Sequence, residues 1–528
     1  MRLAKPRFDE EFDVIVVGYG FGGATSAIEA SDAGARVLVI EKMPDPGGIS
    51  VCAGGGIRIA ADADQAFEYL KATNGGKTPD DVLRAFADGM VELPEYMRSL
   101  VEVNGAKMIG IGRTREGNYP FPGTGTLQFI DIESVPGFDA NVSYPHAIVN
   151  RSRSKSSSGA NLFKVLEDNV RRRPIEVRLA TPARRLVTDE TGAVTGVVVE
   201  TAGATRTIKA RRAVILACGG FEADPAMQRQ YWQDDQVLPA VGLGNTGDGI
   251  RMAQAVGADL WHMWHYHGGY GFRHPDPSYP VGIRMKRLPD WIPGTAVRDF
   301  KLSWILLGKT GERFMNECPP YTNDTAQRSF DVFDPVTQSF PYIPAHVVLD
   351  EEGRKLYPLA SAVYNDRNAV RYQWSADNLK EVELGILRKA NTVEELAALL
   401  AVDAGMLAGT LNRWNAQCAQ QRDDDFGRPA ITMVPIATPP YYCGKVWPVV
   451  SNTQGGPVHD ARQRVLNPFG ELIPRLYEAG ELGSIWGHLY LSGGNLAECL
   501  ITGRIAGREA ARAAPWDAAD AKASLHSV

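Results

Sequence analysis

The chain has 528 residues, 44% of them hydrophobic, and 56 Lys+Arg against 62 Asp+Glu give a formal net charge of −6. That length allows about three or four domain-sized units of ordinary globular composition, and the mildly acidic balance gives no electrostatic footprint for a nucleic-acid partner. Six cysteines (Cys52, Cys218, Cys318, Cys418, Cys443 and Cys499) lie far apart with no CxxC pair, which argues against a zinc cluster or a disulfide framework. No apolar run reaches the roughly 20 residues of a transmembrane span, and Met1 to Glu11 lacks the apolar stretch of a signal peptide. A cytoplasmic protein without a metal is the expectation.

The first informative segment is Asp13-Val14-Ile15-Val16-Val17-Gly18-Tyr19-Gly20-Phe21-Gly22-Gly23. A short β-branched run reads as a buried parallel strand that ends in G-x-G-x-x-G at Gly18, Gly20 and Gly23. Ala24 to Ala33 is helix-forming, Gly34 stops it, and Arg36 to Ile40 is a second buried strand closed by Glu41. This βαβ context lets the backbone approach a pyrophosphate at the helix N-terminus, while Glu41 accepts from ribose hydroxyls. The fingerprint alone does not separate FAD from NAD.

Further glycine-rich turns follow. Gly47-Gly48-Ile49-Ser50 comes soon after Glu41-Lys42, and Ala213 to Phe221 is another buried strand running into Cys218-Gly219-Gly220. Asn245-Thr246-Gly247-Asp248-Gly249 opens a helix over Ile250–Val256, and Gly480-Glu481 precedes Ser492-Gly493-Gly494-Asn495-Leu496, where a helix over Ala497–Ala511 begins. Between them, a helix over Leu162–Arg172 leads to short strands at Glu176–Leu179, Ala193–Thr201 and Thr207–Lys209, read as a small meander.

In this order, "VIVVGYGFGGATSAIEA", "VLVIEK", "GGIS", "VILACGGF", "GNTGDGIRMA", "GERFMNE" and "EAGE…SGGNLAECLITGRIAG" resemble the fumarate reductase and 3-ketosteroid dehydrogenase superfamily of flavoproteins. The resemblance implies an α/β fold: a Rossmann-like FAD-binding domain of the two-dinucleotide-binding-domain type, with an inserted α+β substrate domain. It implies non-covalent FAD held by Gly18, Gly20, Phe21, Gly22, Gly23, Glu41, Lys42, Gly47, Gly48, Ser50, Ala183, Cys218, Gly219, Gly220, Asn245, Asp248, Gly480, Glu481, Gly493, Gly494, Asn495 and Leu496. After Gly257 the composition shifts to aromatics and prolines, so residues 258–440 are expected as the insert, flanked by 1–257 and 441–528 of the FAD domain.

Three features carry a bland reading. The histidines of Trp261-His262-Met263-Trp264-His265-Tyr266-His267 alternate with aromatics and lack a further ligand at metal-site spacing, which suits an aromatic wall. The basic, serine-rich stretch 150–159 reads as a solvated loop. Cys218 reads as a small buried group rather than a redox thiol.

The second half separates chemistries. A dicarboxylate needs cationic clamps. The superfamily's acid reductases carry an arginine four residues after the motif Glu, where this chain has Tyr321. They carry a second arginine before the last G-G-N, where it has Leu491, with Gly487 at their histidine position. Tyr321, Tyr490 and Ser492 instead resemble the delta-4 (5α) 3-ketosteroid dehydrogenases. Desaturating a ketone removes a proton from the carbon beside the carbonyl and a hydride from the next carbon. Tyr490 and the N–H of Gly493 or Gly494 would stabilise the enolate-like oxygen, and a Ser492–Tyr321 relay would take the proton. The expected partners are a bulky cyclic ketone and an external electron acceptor. Delta-1 regiochemistry, or reduction of an enone or enoate, uses the same groups. Arg273, Arg284, Lys286, Arg287 and Arg298 leave room for an acidic substituent.

Overall fold

The computed structural model describes residues 7–111, 118–149, 159–201, 203–234, 237–286, 301–318 and 328–516. Tyr321, Arg287, Arg298 and the stretch 150–158 lie outside the described residues. The first sheet runs Arg464–Leu466, Leu472–Glu478, Ala204–Leu216, Glu10–Val17, Val37–Ile40 and Ile175–Arg178, with Val194–Thr201 and then Ala183–Thr188 hanging from Ala204–Leu216. Its central pairs are parallel, with Val14 opposite Val37 and Ala213. Strand alternation sends Val14 and Val16 to one core and Ile15 and Val17 to the other, all four buried. A strand covered on both faces has no polar positions, which explains the unbroken apolar run of Val14–Val17.

Two expectations change here. Ile175–Arg178 is the outer parallel strand of the main sheet, not part of the meander. Thr207–Lys209 and Ala213–Leu216 belong to one strand, Ala204–Leu216, that pairs antiparallel with Val194–Thr201 and parallel with Glu10–Val17. A single long strand serves both neighbours, so the two apolar patches in it are not separate elements.

The second sheet runs Ile305–Leu307, Ala345–Asp350, Tyr441–Thr453, Tyr266–Arg273, Gly282–Met285 and Ala360–Ser361. Tyr441–Thr453 is its long central strand, and Leu238–Pro239 also pairs with it. All the ladder partners of Tyr441–Thr453 lie in this second sheet. Helices Val393–Leu400 and Ala404–Gln420 cover one face of this sheet. A third, antiparallel sheet (Ile57–Ala60, Leu127–Ser134, Lys107–Ile111) and helices Ala63–Asn74 and Asp80–Val101 close the side of the first body.

Helices Phe21–Asp32 and Gly494–Arg512 lie against each other along small residues. A Cβ at Gly503 would stand 2.9 Å from the Gly22 carbonyl oxygen, and one at Gly507 would stand 2.4 Å from that of Ser26. Gly507→Ala should lower unfolding free energy by about 1–3 kcal/mol through overpacking. Gly409, inside Ala404–Gln420, has nothing within 4 Å of its missing Cβ. Gly409→Ala should therefore raise it by about 0.5–1 kcal/mol. Urea midpoints of the two variants, moving in opposite directions from wild type, check both.

Candidate active site

A long cleft opens where strands Glu10–Val17, Ala204–Leu216 and Leu472–Glu478 end side by side. It holds about 1140 Å³ of space continuous with solvent. Gly18, at φ +108°, turns the chain against the Ala217 carbonyl, which a Cβ there would meet at 2.2 Å. A Cβ at Gly23 would stand 2.0 Å from Gly18 O, so these glycines are required by packing. Helix Phe21–Asp32 begins at this turn, with Gly20 at its N-cap making no side-chain cap. An anion set there meets backbone N–H groups and the positive end of the helix dipole.

Glu41 is buried on the cleft wall and takes the N–H of Tyr19 on Oε2 (2.9 Å) and of Met43 on Oε1 (2.8 Å). Burial nevertheless pushes its carboxyl up. A carboxylate has about four lone-pair sites, so two bonds to its own loop leave capacity for ribose hydroxyls. Lys42 Nζ reaches across to Thr246 Oγ1 and Asp248 Oδ2, both at 2.7 Å. The Ser50 hydroxyl accepts from the Phe21 N–H at 3.2 Å. At the rim, Arg367 Nε pairs with Asp45 Oδ2 (2.7 Å) and Asn365 Nδ2 donates to Gly48 O (2.8 Å). These two contacts bring the segment after the second sheet over the glycine path.

Of the residues assigned to FAD from sequence, Gly18, Gly20, Phe21, Gly22, Glu41, Lys42, Gly47, Gly48, Ser50, Ala183, Cys218, Gly219, Asn245, Asp248, Gly480 and Glu481 line this cleft. Gly23, Gly220, Gly493, Gly494, Asn495 and Leu496 are not in its wall. An elongated cleft, a side-chain-free turn at a helix N-terminus and an acid at the second strand's end fit an extended dinucleotide.

Glu481, on the cleft wall, meets Glu222 behind it; the two are 9% and 3% exposed. Glu481 Oε1 accepts the Thr453 N–H (2.8 Å), and Asn245 Nδ2 donates to Glu222 Oε1 (3.2 Å). Burial raises both carboxyls, and Glu481 is raised further by the neighbouring Glu222 charge. Both effects favour the neutral acid, since contact between two buried carboxylates disfavours ionising the second.

Tyr490 and Ser492 lie in the turn that leads into helix Gly494–Arg512, where Tyr490 packs against His267 of the second sheet. The Tyr490 ring is buried, 4.1 Å from the His267 ring and 5.6 Å from that of Trp486. Its hydroxyl oxygen accepts the Gly493 N–H at 3.1 Å, while the Gly494 N–H goes to Leu491 O at 2.6 Å. This corrects the expectation that those two N–H groups face a substrate oxygen. The turn into helix Gly494–Arg512 engages both. Arg58, 1% exposed, holds the same turn from below. Its Nε donates to Ser492 O (2.8 Å), its backbone N–H goes to Gly493 O (3.2 Å), and its guanidinium lies 3.7 Å from the Phe129 ring centre.

The preceding loop is pinned from both sides. His262 presents its ring nitrogens to Ser484 O (2.8 Å) and Lys77 O (3.1 Å), and His265 Nδ1 faces Trp486 O (3.1 Å). Beneath, Glu498 accepts from Ser484 Oγ (2.6 Å), the Ile485 N–H (2.7 Å) and Trp486 Nε1 (3.0 Å), and burial pushes its carboxyl up to about 7. The histidines read from sequence as an aromatic wall are thus also backbone pins. Among the described residues no His, Cys, Asp and Glu cluster has the arrangement to hold a metal. Nothing in the local sequence marks Arg58 or Glu222 as neighbours of these groups. Only the period of Glu498 on its helix, facing inward, carried a signal.

The segment leading toward position 321 is held by a buried ion network. Arg313 bonds Glu317 (2.7 Å) and Asp423 (3.1 Å), while Arg428 reaches Trp304 O (2.9 Å) and lies 3.5 Å from Glu317. The "GERFMNE" motif is therefore an anchor in the second body. Leu491 is buried, and a Cβ at Gly487 would stand 2.3 Å from Asn74 O, so position 487 admits no side chain.

A sequence profile described as FAD binding domain matches residues 13–496, and the chain belongs to that family. It is a FAD-dependent oxidoreductase of the type that includes fumarate reductases and ketosteroid dehydrogenases. It is 28% identical to digoxin reductase of Eggerthella lenta over 96% of this chain and 88% of that protein. It is 28% identical to the fumarate reductase (cytochrome) of Shewanella frigidimarina over 95% and 77%. It is 27% identical to 3-oxosteroid 1-dehydrogenase of Mycolicibacterium smegmatis over 96% and 98%. In fold it is similar to 3-ketosteroid delta1-dehydrogenase from Sterolibacterium denitrificans, with TM-score 0.78, 24% identity, and 95% and 99% of the two chains covered. No helix among the described residues is long and apolar enough to cross a membrane.

Glu41→Ala should weaken FAD binding by about 1–3 kcal/mol, through lost charged hydrogen bonds, measured by titrating deflavinated protein. Glu498, protonated more readily folded than unfolded, adds stability that is complete below its unfolded pKa and lost as pH rises through about 7. Wild type should lose thermal midpoint between pH 5 and 8 more steeply than Glu498→Gln. Parallel slopes would show that Glu498 is ionised throughout.

Proposed function

We propose that the chain is a dehydrogenase that introduces a carbon–carbon double bond beside a ketone, by delta-4 dehydrogenation of a 3-keto-5α-steroid or a similar bulky cyclic ketone. The observation that carries this reading is the turn 487–493. It offers a buried leucine, Leu491, where acid reductases keep a guanidinium, with the buried phenol of Tyr490 beside it, and position 487 has no room for a histidine. Bound FAD supplies the acceptor for the hydride. The chain's own residues manage the proton and the oxygen. Because the Gly493 N–H donates into the Tyr490 oxygen, the phenol O–H is polarised and becomes a stronger donor to a ketone oxygen that gains charge. Tyr490 holds that oxygen, and Ser492 and Tyr321 share the proton from the adjacent carbon. Arg58 positions Ser492 through its carbonyl, and the wall of Trp486 and His267 excludes water from the developing charge.

FAD is held without a covalent bond in this reading. The thiols in the cleft wall are those of Cys218 and Cys499. Cys218 donates to Val17 O (3.3 Å) and burial pushes it up to about 12, and burial raises Cys499 as well. Neither is a thiolate available to attack a flavin. The electron acceptor is a separate molecule, and residues 258–440 act as the substrate domain.

Delta-1 regiochemistry uses the same groups, and the similarity to digoxin reductase favours enone reduction as the second reading. Tyr490→Phe should cut kcat by roughly 10²–10³ while FAD stays bound. Ser492→Ala and Tyr321→Phe should each be damaging and the double variant little worse, because relay partners act as a unit. The assay is anaerobic bleaching of the flavin by saturated cyclic ketones. Turnover of fumarate-like dicarboxylates with a reduced dye, indifferent to Tyr490→Phe, would overturn the ketone assignment.

A further inference from the structure

The second sheet carries a feature unconnected with the flavin cleft. On the face covered by helices Val393–Leu400 and Ala404–Gln420, Ile305, Leu307, Val348, Ala390 and Cys443 form an apolar layer. Where the shorter helix ends, at Leu400, that same face turns basic. His346 stands directly across the ladder from Lys445 on one side and Leu307 on the other. Arg388 is opposite Cys443, two residues from Lys445, and Lys309 follows Leu307 by two. Strand alternation thus puts His346, Lys445 and Arg388 on one face, and together with Lys309 from the turn after Leu307, Pro344 and Ala398–Ala401 they line a recess with no acidic residue in its wall.

Two observations set this recess apart from ordinary surface charge. His346 is 6% exposed, and its Nδ1 has no hydrogen-bond partner. A buried ring nitrogen in a polar recess costs free energy until something bonds it. Its surroundings are also uniformly cationic. Burial, then Lys445, Arg388 and Lys309, push the imidazole down to about 4. Arg388 Nη2 donates to Leu399 O at the helix end (2.5 Å) and Lys309 Nζ to Phe340 O (2.7 Å). Both neutral acceptors leave the positive charge uncompensated.

We propose that this recess binds a phosphate group, as free phosphate or as a phosphomonoester, with Lys445, Lys309 and Arg388 neutralising it and His346 donating to an oxygen. A multiply charged oxyanion matches the need: two cations at fixed strand positions and a third on the adjoining turn, plus one imidazole that gains a proton when an anion arrives. No residue of this recess lines the flavin cleft or belongs to the 484–493 turn, so occupancy is separable from turnover.

The test is calorimetric titration of the flavin-loaded full chain with sodium phosphate, against sodium chloride at matched ionic strength. One saturable site per chain is expected, weakened about ten-fold in Lys445→Gln and again when Lys309→Gln is added. Both side chains are exposed, so folding and flavin content stay unchanged. Adenosine monophosphate binding with similar affinity identifies a phosphomonoester as ligand, and its exclusion identifies free phosphate. The proposal fails if phosphate gives no saturable heat, if chloride or succinate matches it, or if the double variant binds as wild type does.

Discussion

The cleft depends on three parallel strands ending in register and turning away without side-chain bulk. The N–H of Ala217 donates to Val17 O (2.8 Å), and that of Ala479 to Leu216 O (2.9 Å), so the ladder continues past the strands' last residues. Gly18 then leaves sideways at a φ that only glycine adopts easily. Side chains at Gly18 or Gly23 would strike backbone carbonyls, and the loop could not fold flat over the helix N-terminus. Everything that lines the cleft hangs from this packing, including Glu41 across one edge and Gly480-Glu481 across the other.

A second constraint links the cofactor body to the turn that carries Tyr490. Helix Gly494–Arg512 packs against Phe21–Asp32 through glycines, and its first residues form the turn that carries Tyr490 and Ser492. The position of the proposed catalytic phenol is therefore tied to the helix that also carries Glu498. Arg58, His262, His265 and Glu498 hold the 484–493 loop through backbone atoms. A preorganised donor needs such support, because a loop that adjusts during the reaction gives back the stabilisation it offers.

Charge is handled differently in the two bodies. Behind the cleft, Glu222, Glu478, Glu481 and Glu498 are buried and all pushed toward the neutral acid. Neutral carboxyls donate as well as accept, so this region can satisfy polar groups without a counter-cation. In the second body the buried charges of Arg313, Arg428, Glu317 and Asp423 are paired, and a buried charge persists only when paired and hydrogen-bonded.

Much of this was legible in the sequence. The unbroken apolar runs of Val14–Val17 and Val37–Ile40, the glycine spacing between them and Glu41 define a dinucleotide cleft, because strand burial and backbone sterics act over a few residues. The glycine turns at 47, 219 and 480 are local in the same sense. Tertiary structure alone decided the rest. Tyr441–Thr453 has the same composition as a strand of either sheet, and only its ladder partners place it. Nothing in the residues 57–148 announced a third sheet. Arg58 and Glu498 became supports of one turn through contacts across 434 and 13 positions of sequence. The N–H groups of Gly493 and Gly494 were spent inside that turn because helix entry satisfies its own backbone first. Sequence determines which residues must be buried or free of side chains, and three-dimensional packing determines which polar atoms remain to do chemistry.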